Sequence, residues 1–185
     1  MYFLNTLVLY LGTVSAVAVS KPVRGIAVVT ANTIIADITD LDNQVKELTT
    51  DLNNLNLGLF TLLQALTVSN QFTAVHNSNR QAYNDALLIT TAFSDSDSAA
   101  IVSLVQKTLV IDNPKAVSIC KQKKPIFQLL LQSSTVLSDL KTLMNDHISL
   151  SAALMQWVAP SQQQAGTAAV QTITDSLQSA IDYYS

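Results

Sequence analysis

An all-α fold, an antiparallel bundle of about five helices, is predicted by three features of this 185-residue sequence. Apolar residues recur at steps of three and four through most of the chain, the spacing that lines one face of an α-helix. Breakers are sparse: past residue 18, Gly and Pro stand only at Pro22, Gly25, Gly58, Pro114, Pro125, Pro160 and Gly166. The stretches between them are long for strands and suit helices. Apolar residues make up 49% of the chain and charged residues 12%. That is material for a large core, under a surface left mostly to Ser, Thr, Asn and Gln. The length suits a single domain, here 19–185.

The elements follow in order. Phe3 to Ala18 is apolar and uncharged, and Ala16-Val17-Ala18 has the small-x-small form that signal peptidase accepts. At about 16 residues the run is short of the roughly 20 that span a membrane. Residues 1–18 therefore read as a secretory signal, cleaved after Ala18 or after Ala16. The C-terminus, Ile181-Asp182-Tyr183-Tyr184-Ser185, has no hydrophobic tail of the kind a lipid anchor needs.

Ile34, Ile38, Leu41, Val45, Leu48, Leu52 and Leu55 alternate steps of four and three, giving a first helix of regular period. The same pattern suits a parallel coiled-coil dimer, but the other segments offer faces for an intramolecular seam. Asn53, Asn54, Asn56 and Gly58 then predict a turn. A second helix runs from about Leu59 to Phe93, with Leu59, Leu62, Leu66, Phe72, His76, Tyr83 and Leu87 on one stripe. The run Ser94-Asp95-Ser96-Asp97-Ser98 supplies caps and carboxylates for a new helix start. It lacks the glycine and the further carboxylates of a calcium loop. A third segment carries Ile101, Leu104, Val105 and Leu109. Asn113 as cap and Pro114 as first residue predict a short helix through Val117 and Cys120.

Lys124-Pro125 then opens the longest uninterrupted stretch, which closes at Pro160. Phe127, Leu130, Leu137, Leu140, Met144 and Leu154 share its apolar face, with His147 and Ser151 in the same line. One helix of roughly 33 residues would be about 50 Å long. A last helix from about Gln164 to Tyr184 sets Val170, Ile173, Leu177 and Ile181 on one side.

Several functions are excluded. A net charge of −3 does not suit nucleic acid, whose phosphates call for a basic stripe. Lys121, Lys123 and Lys124 form the one basic cluster, at a helix junction where carbonyl ends attract cations. The single cysteine, Cys120, reads as a buried small hydrophobe, with intermolecular pairing as the alternative. No catalytic motif occurs, Glu47 is the only glutamate, and no cofactor or metal is implied.

The stretch Phe93 to Ile101, then Lys123-Lys124-Pro125-Ile126-Phe127, then Thr135-Val136-Leu137-Ser138-Asp139-Leu140 and the ending at Ser185 resemble, in that order, the fungal hydrophobic surface-binding protein A family. That family includes the antigenic cell-wall galactomannoproteins. The resemblance spans essentially the whole of residues 19–185. It implies a helical bundle with a central apolar tunnel that sequesters long-chain fatty acids such as arachidonic acid. For other members it implies adsorption to hydrophobic surfaces and recruitment of lipolytic enzymes. A secreted or wall-associated, non-enzymatic protein with a fatty acid or other lipid as partner, and no transmembrane anchor, is the expectation. A structural wall antigen is a further one.

By spacing, Ser151 is the first candidate to hold the carboxylate, with Ser69, His76, Ser134 and His147 behind it. The acyl tail would run along Leu41, Val45, Leu48, Leu66, Phe72, Leu104, Leu137, Leu140, Met144, Ile173 and Leu177. Ordinary core packing explains any of these equally well.

Overall fold

A computed structural model describes residues 28–185; the expected signal segment, residues 1–18, lies outside the described residues. Six α-helices follow one another: α1 (Ala31–Asn54), α2 (Thr61–Ala86), α3 (Asp95–Lys107), α4 (Leu109–Leu129), α5 (Ser133–Met155) and α6 (Gln163–Tyr184), with a 3-10 turn, Pro160–Gln162, before the last. Five of them have 21 to 26 residues and form the bundle, and α3 is shorter.

The local chemistry fits these boundaries. Thr30 caps α1 in a reciprocal pair with Thr33, each side chain satisfying the other's backbone N–H. Ser94 caps α3 by accepting from Asp97 N–H, and Asp95 and Asp97 face the positive helix end, as the acidic serine run predicts. Thr108, with φ −123° and ψ −90°, separates α3 from α4 and donates its hydroxyl back to Leu104 O.

Three sequence expectations are corrected. Asn113 and Pro114 do not start a helix but lie inside α4, as does Pro125. Each proline removes one helical hydrogen bond without ending the rod. The second helix stops at Ala86, short of Phe93. The long helix expected from Pro125 to Val158 is two helices meeting at Leu131, so Phe127 belongs to α4 and Leu137, Leu140, Met144 and Leu154 to α5. Leu131 has φ 58°, in the left-handed region. Leu131 N–H reaches Gln128 O and Gln132 N–H reaches Phe127 O, which satisfies the end of α4. Glycine normally fills that position, and leucine hides the break from a search for breakers.

Contacts between helices close a ring: α1 packs on α2, α2 on α5, α5 on α6, α6 on α4, and α4 back on α1. Cross-helix bonds set the directions. Gln71 to Gln44 O and Ser78 to Asp40 run α2 antiparallel to α1. Lys46 to Asp112 and Lys123 to Leu55 O run α4 parallel to α1. Lys121 to Ser179 and Lys124 to Tyr183 O run α6 parallel to α4. Helices consecutive in sequence are antiparallel, yet the ring contains parallel neighbours. The predicted seam of α1 is intramolecular, with Ile34, Ile38, Leu41, Val45, Leu48, Leu52 and Leu55 all buried.

Among the ring's ends, the one where α1 and α6 begin is covered by α3, which packs on α1, α4, α6 and the 3-10 turn. Ser98, fully buried, fastens it by accepting from Ala159 N–H at 2.9 Å. At the opposite end the three lysines lie against helix C-termini, as predicted from their position. Lys123 donates to Asn53 O and Leu55 O, and Lys124 to Tyr183 O.

Leu131→Gly tests the turn between α4 and α5. Its side chain is exposed, so little packing is lost while the left-handed backbone is relieved. A stability gain of about 1 kcal/mol is expected, read as a higher urea midpoint at unchanged slope. A lower midpoint would show that the leucine side chain stabilises the turn.

Candidate functional site

Apolar faces of all six helices point to the axis of the ring and leave space between them. Ile38, Leu41 and Val45 of α1 face Leu143, Leu150 and Leu154 of α5 and Ile173 and Leu177 of α6 across a cavity of about 90 Å³. α3 closes it with Ile101, Val102 and Val105. A second space of about 20 Å³ continues toward the other end, bounded by Leu48, Leu52, Phe72, Cys120 and Leu140. The two share Val45, Val75, Asn113, Leu143 and Leu177 as a common wall.

Gly166 is why α6 sits close at the α3 end. A Cβ there would meet Met155 Sδ at 2.9 Å and Val102 Cγ2 at 3.6 Å. Met155, a flexible thioether chain, thus forms a movable part of the wall.

The polar groups in this apolar space are few. His147 is buried at 8% exposure. Its Nε2 lies 3.1 Å from Val170 O and from Thr174 Oγ1. Thr174 itself donates to Val170 O. A carbonyl only accepts, so Nε2 carries the proton and Nδ1 is the bare acceptor. Ser151 Oγ stands 3.5 Å from Nδ1 and is its donor. Burial pushes the His147 imidazole below its ordinary value of 6.5, against the Val170 carbonyl that favours its charge. Asn79 of α2 also lines the cavity, and its Oδ1 is buried without a partner.

Of the candidate residues read from the sequence, Ser151, His147, Leu41, Val45, Ile173 and Leu177 line the main cavity. Leu48, Phe72 and Leu140 line the second, together with Val45 and Leu177. Met144 is buried, and Leu104 and Leu137 are half-buried against the core, but none of the three lines either space. Leu66 is corrected outright: it is 57% exposed and faces away from the core. Ser134 is exposed and Ser69 half-buried, both off the cavity. His76 lies in a shallow surface depression with Asp139 and bonds Asp146 at 2.5 Å. Sequence reading missed Asn79, Asn113, Met155, Gly166 and the whole contribution of α3. The α3 residues were legible as a stripe, but nothing in their spacing says which stripe closes the end.

The site carries no assembled catalytic device. His147 is oriented by a backbone carbonyl instead of a carboxylate, and the neighbouring Asp146 turns to His76 on α2. Burial pushes the Cys120 thiol up to about 11, so it is protonated and unreactive at neutral pH. Among the described residues no cluster of His, Cys, Asp or Glu is placed to hold a metal ion.

The histidine makes a pH prediction. Its folded value lies below its unfolded one, so the unfolded chain binds the extra proton and stability falls as pH drops below 6.5. Asp42, Asp51 and Asp139, all raised by burial, act oppositely and gain stability as pH falls toward 3.8. His147→Gln retains a donor for Val170 O and removes one titration. Its melting temperature is expected to fall less than the parent's between about pH 7 and about pH 5. Parallel profiles would show a solvated ring.

No curated protein matches the chain. Solved structures do. Afmp4p, solved in complex with palmitic acid, is 28% identical with TM-score 0.78, the match covering 84% of this chain and 100% of that one. Ligand binding domain 1 of the Penicillium marneffei MP1 protein, complexed with arachidonic acids, gives 15% identity and TM-score 0.75 over 84% of this chain and 99% of that one. Ligand binding domain 2 of the same protein, complexed with multiple arachidonic acids, gives 15% and 0.74 over 81% and 92%. The sequence model described as hydrophobic surface binding protein A matches residues 31–156, and the chain belongs to that family.

Proposed function

We propose that this protein sequesters a long-chain fatty acid in the axial cavity and works outside the cell, secreted or associated with the wall. The observation that carries the reading is an apolar cavity enclosed by all six helices, in a fold that Afmp4p shares and in which that protein holds palmitic acid. Each buried methylene contributes about 0.8 kcal/mol, so an acyl chain supplies the driving force without charged contacts.

The cavity of about 90 Å³ is far below the roughly 300–1,000 Å³ of a site that swallows a drug-sized ligand. Entry therefore parts the helices and swings Met155 aside. The short α3, fastened at Ser98, is the element with least to lose by moving.

Native mass spectrometry of the chain from about Val19, with organic extraction, is the direct test. One fatty acid carried or taken up, and a higher melting temperature at saturating ligand, are expected. Gly166→Val, which pushes Met155 into the cavity, should weaken uptake about tenfold or more while the bundle stays helical. A parent protein that takes up no fatty acid would overturn the reading.

One observation favours a second reading, adsorption to hydrophobic surfaces. Leu57, Leu59 and Phe60 in the α1–α2 loop, Leu62 and Leu63 in the first turn of α2, and Leu129 and Leu131 at the α4–α5 turn, are exposed at the end opposite α3. Leu59 reaches 92% and Leu131 89%. A cluster that holds the two most exposed large apolar side chains of the described residues marks a contact surface. Replacing Leu59, Phe60 and Leu131 together by Ser should abolish depletion of the protein onto polystyrene beads and leave fatty-acid uptake intact. Unchanged depletion would remove this end from the mechanism.

A further inference from the structure

We propose that α3 is a hinged lid over the axial cavity, latched by hydrogen bonds to residues 157–161, and that lipid enters and leaves at this end of the ring. The inference rests on the lipid-binding reading above and names how passage into that interior is controlled.

The two ends are not closed alike. Where α1 finishes, Leu52, Leu55 and Phe127 are almost wholly buried. The Phe127 ring lies 6.5 Å from that of Tyr184, whose hydroxyl donates to Cys120 O at 2.8 Å. Opening there takes large aromatic groups out of a core that α1, α4 and α6 share. At the other end the main cavity is walled by Ile101, Val102 and Val105 of α3. Only Ser98, Ile101 and Val102 of this helix are buried, fewer residues than any ring helix buries. An acyl chain in the cavity covers the same apolar side chains that the lid gives up on moving.

The ties that hold α3 converge on one short segment, the link from α5 to α6. Ala159 N–H donates to Ser98 Oγ at 2.9 Å, Phe93 N–H to Trp157 O at 2.9 Å, and Ser161 Oγ–H to Asp95 Oδ1. Such bonds exchange for bonds to water with little net loss. Hinge points flank the helix. Thr108 alone separates α3 from α4, and residues 89–94 before it belong to no helix. Rotation at a few positions of that kind is what lid motion needs. Val102 and Met155 both pack on Gly166, so lifting α3 also frees the methionine chain to move.

Stopped-flow uptake and displacement of cis-parinaric acid, a fatty acid that fluoresces in an apolar site, tests this on the chain from about Val19. Ser98→Ala leaves Ala159 N–H unpaired only while the lid is shut, so it acts on passage and not on the interior. Uptake and release should both quicken about tenfold, with the dissociation constant unchanged. Ser98→Cys combined with Ala159→Cys turns the latch into a disulfide, since the 2.9 Å bond keeps the two residues within its reach. Cys120, buried and with its thiol pushed up to about 11, stays out of the exchange. Oxidised, this variant should take up the probe at least about tenfold more slowly, and reductant should reverse the effect. Asp95→Cys with Ser161→Cys joins the same two segments on the surface and serves where the buried pair stays open. Equal uptake by oxidised and reduced forms would place entry elsewhere and overturn the inference while the lipid-binding reading stands. Faster release from Ser98→Ala with unchanged uptake would mean lost affinity instead of a lost latch, and would overturn it too. A parent protein that takes up neither the probe nor palmitic acid would remove the lipid-binding reading itself.

Discussion

Closure of five long helices into a ring is the constraint on which the rest depends. Two or three helices meet along a single seam and fill it with their own side chains. Five cannot all reach a common axis, since each keeps roughly 8–10 Å from its neighbours. The space left over is lined by whatever faces inward, here Ile, Leu and Val from every rod. A stable apo bundle must shrink that space, and the wall shared by the two cavities does so. Leu143 and Leu177 lean across from α5 and α6, and Met155 closes against Gly166. The interior is collapsed but poorly committed, the condition in which an apolar chain can replace protein–protein contacts by contacts with itself.

Polar groups in such an interior are costly without partners. His147 finds two on α6, and its second nitrogen orients Ser151. His76, half-exposed, pairs instead with the buried carboxylate of Asp146. Two histidines that look alike in sequence thus have unrelated roles. Burial separates them: one is neutral by desolvation within an apolar wall, the other lies where water and a carboxylate reach it.

The two ends of the ring are chemically different. At one, α3 and the 3-10 turn cover the axis and Ser98 ties them to Ala159. At the other, lysines satisfy the carbonyl ends of α1 and α6 while leucines of the α1–α2 loop remain in water. From Leu52 to Asn79, and again from Pro125 to Ser138, the chain has no Asp, Glu, Lys or Arg. That absence leaves the α1–α2 loop and the α4–α5 turn without charges of their own, beside the lysines that hold the carbonyl ends of α1 and α6.

The all-α class, the extent and inward face of α1, the cap of α3 and the inward stripe of α6 were legible in the sequence, because each is decided by residues within a few turns of one another. Leu41, Val45, Ile173 and Leu177 were nominated on that basis and do line the interior. The break at Leu131 was not legible, since the left-handed residue there is not glycine and the satisfying bonds come from the fold of the turn. Leu66 lies on the surface, because the stripe that α2 buries runs through Ala65, Val68, Phe72 and Val75 and Leu66 is turned about 100° from Ala65. Asn79 carries no local signal at all. Sequence by itself determined which residues are helical and which stripe of each helix is apolar, properties of spacing and propensity. Tertiary structure alone decided the order of helices around the ring, which stripes meet at its axis, and which polar atoms are left there without partners, because those depend on contacts between residues far apart in the chain.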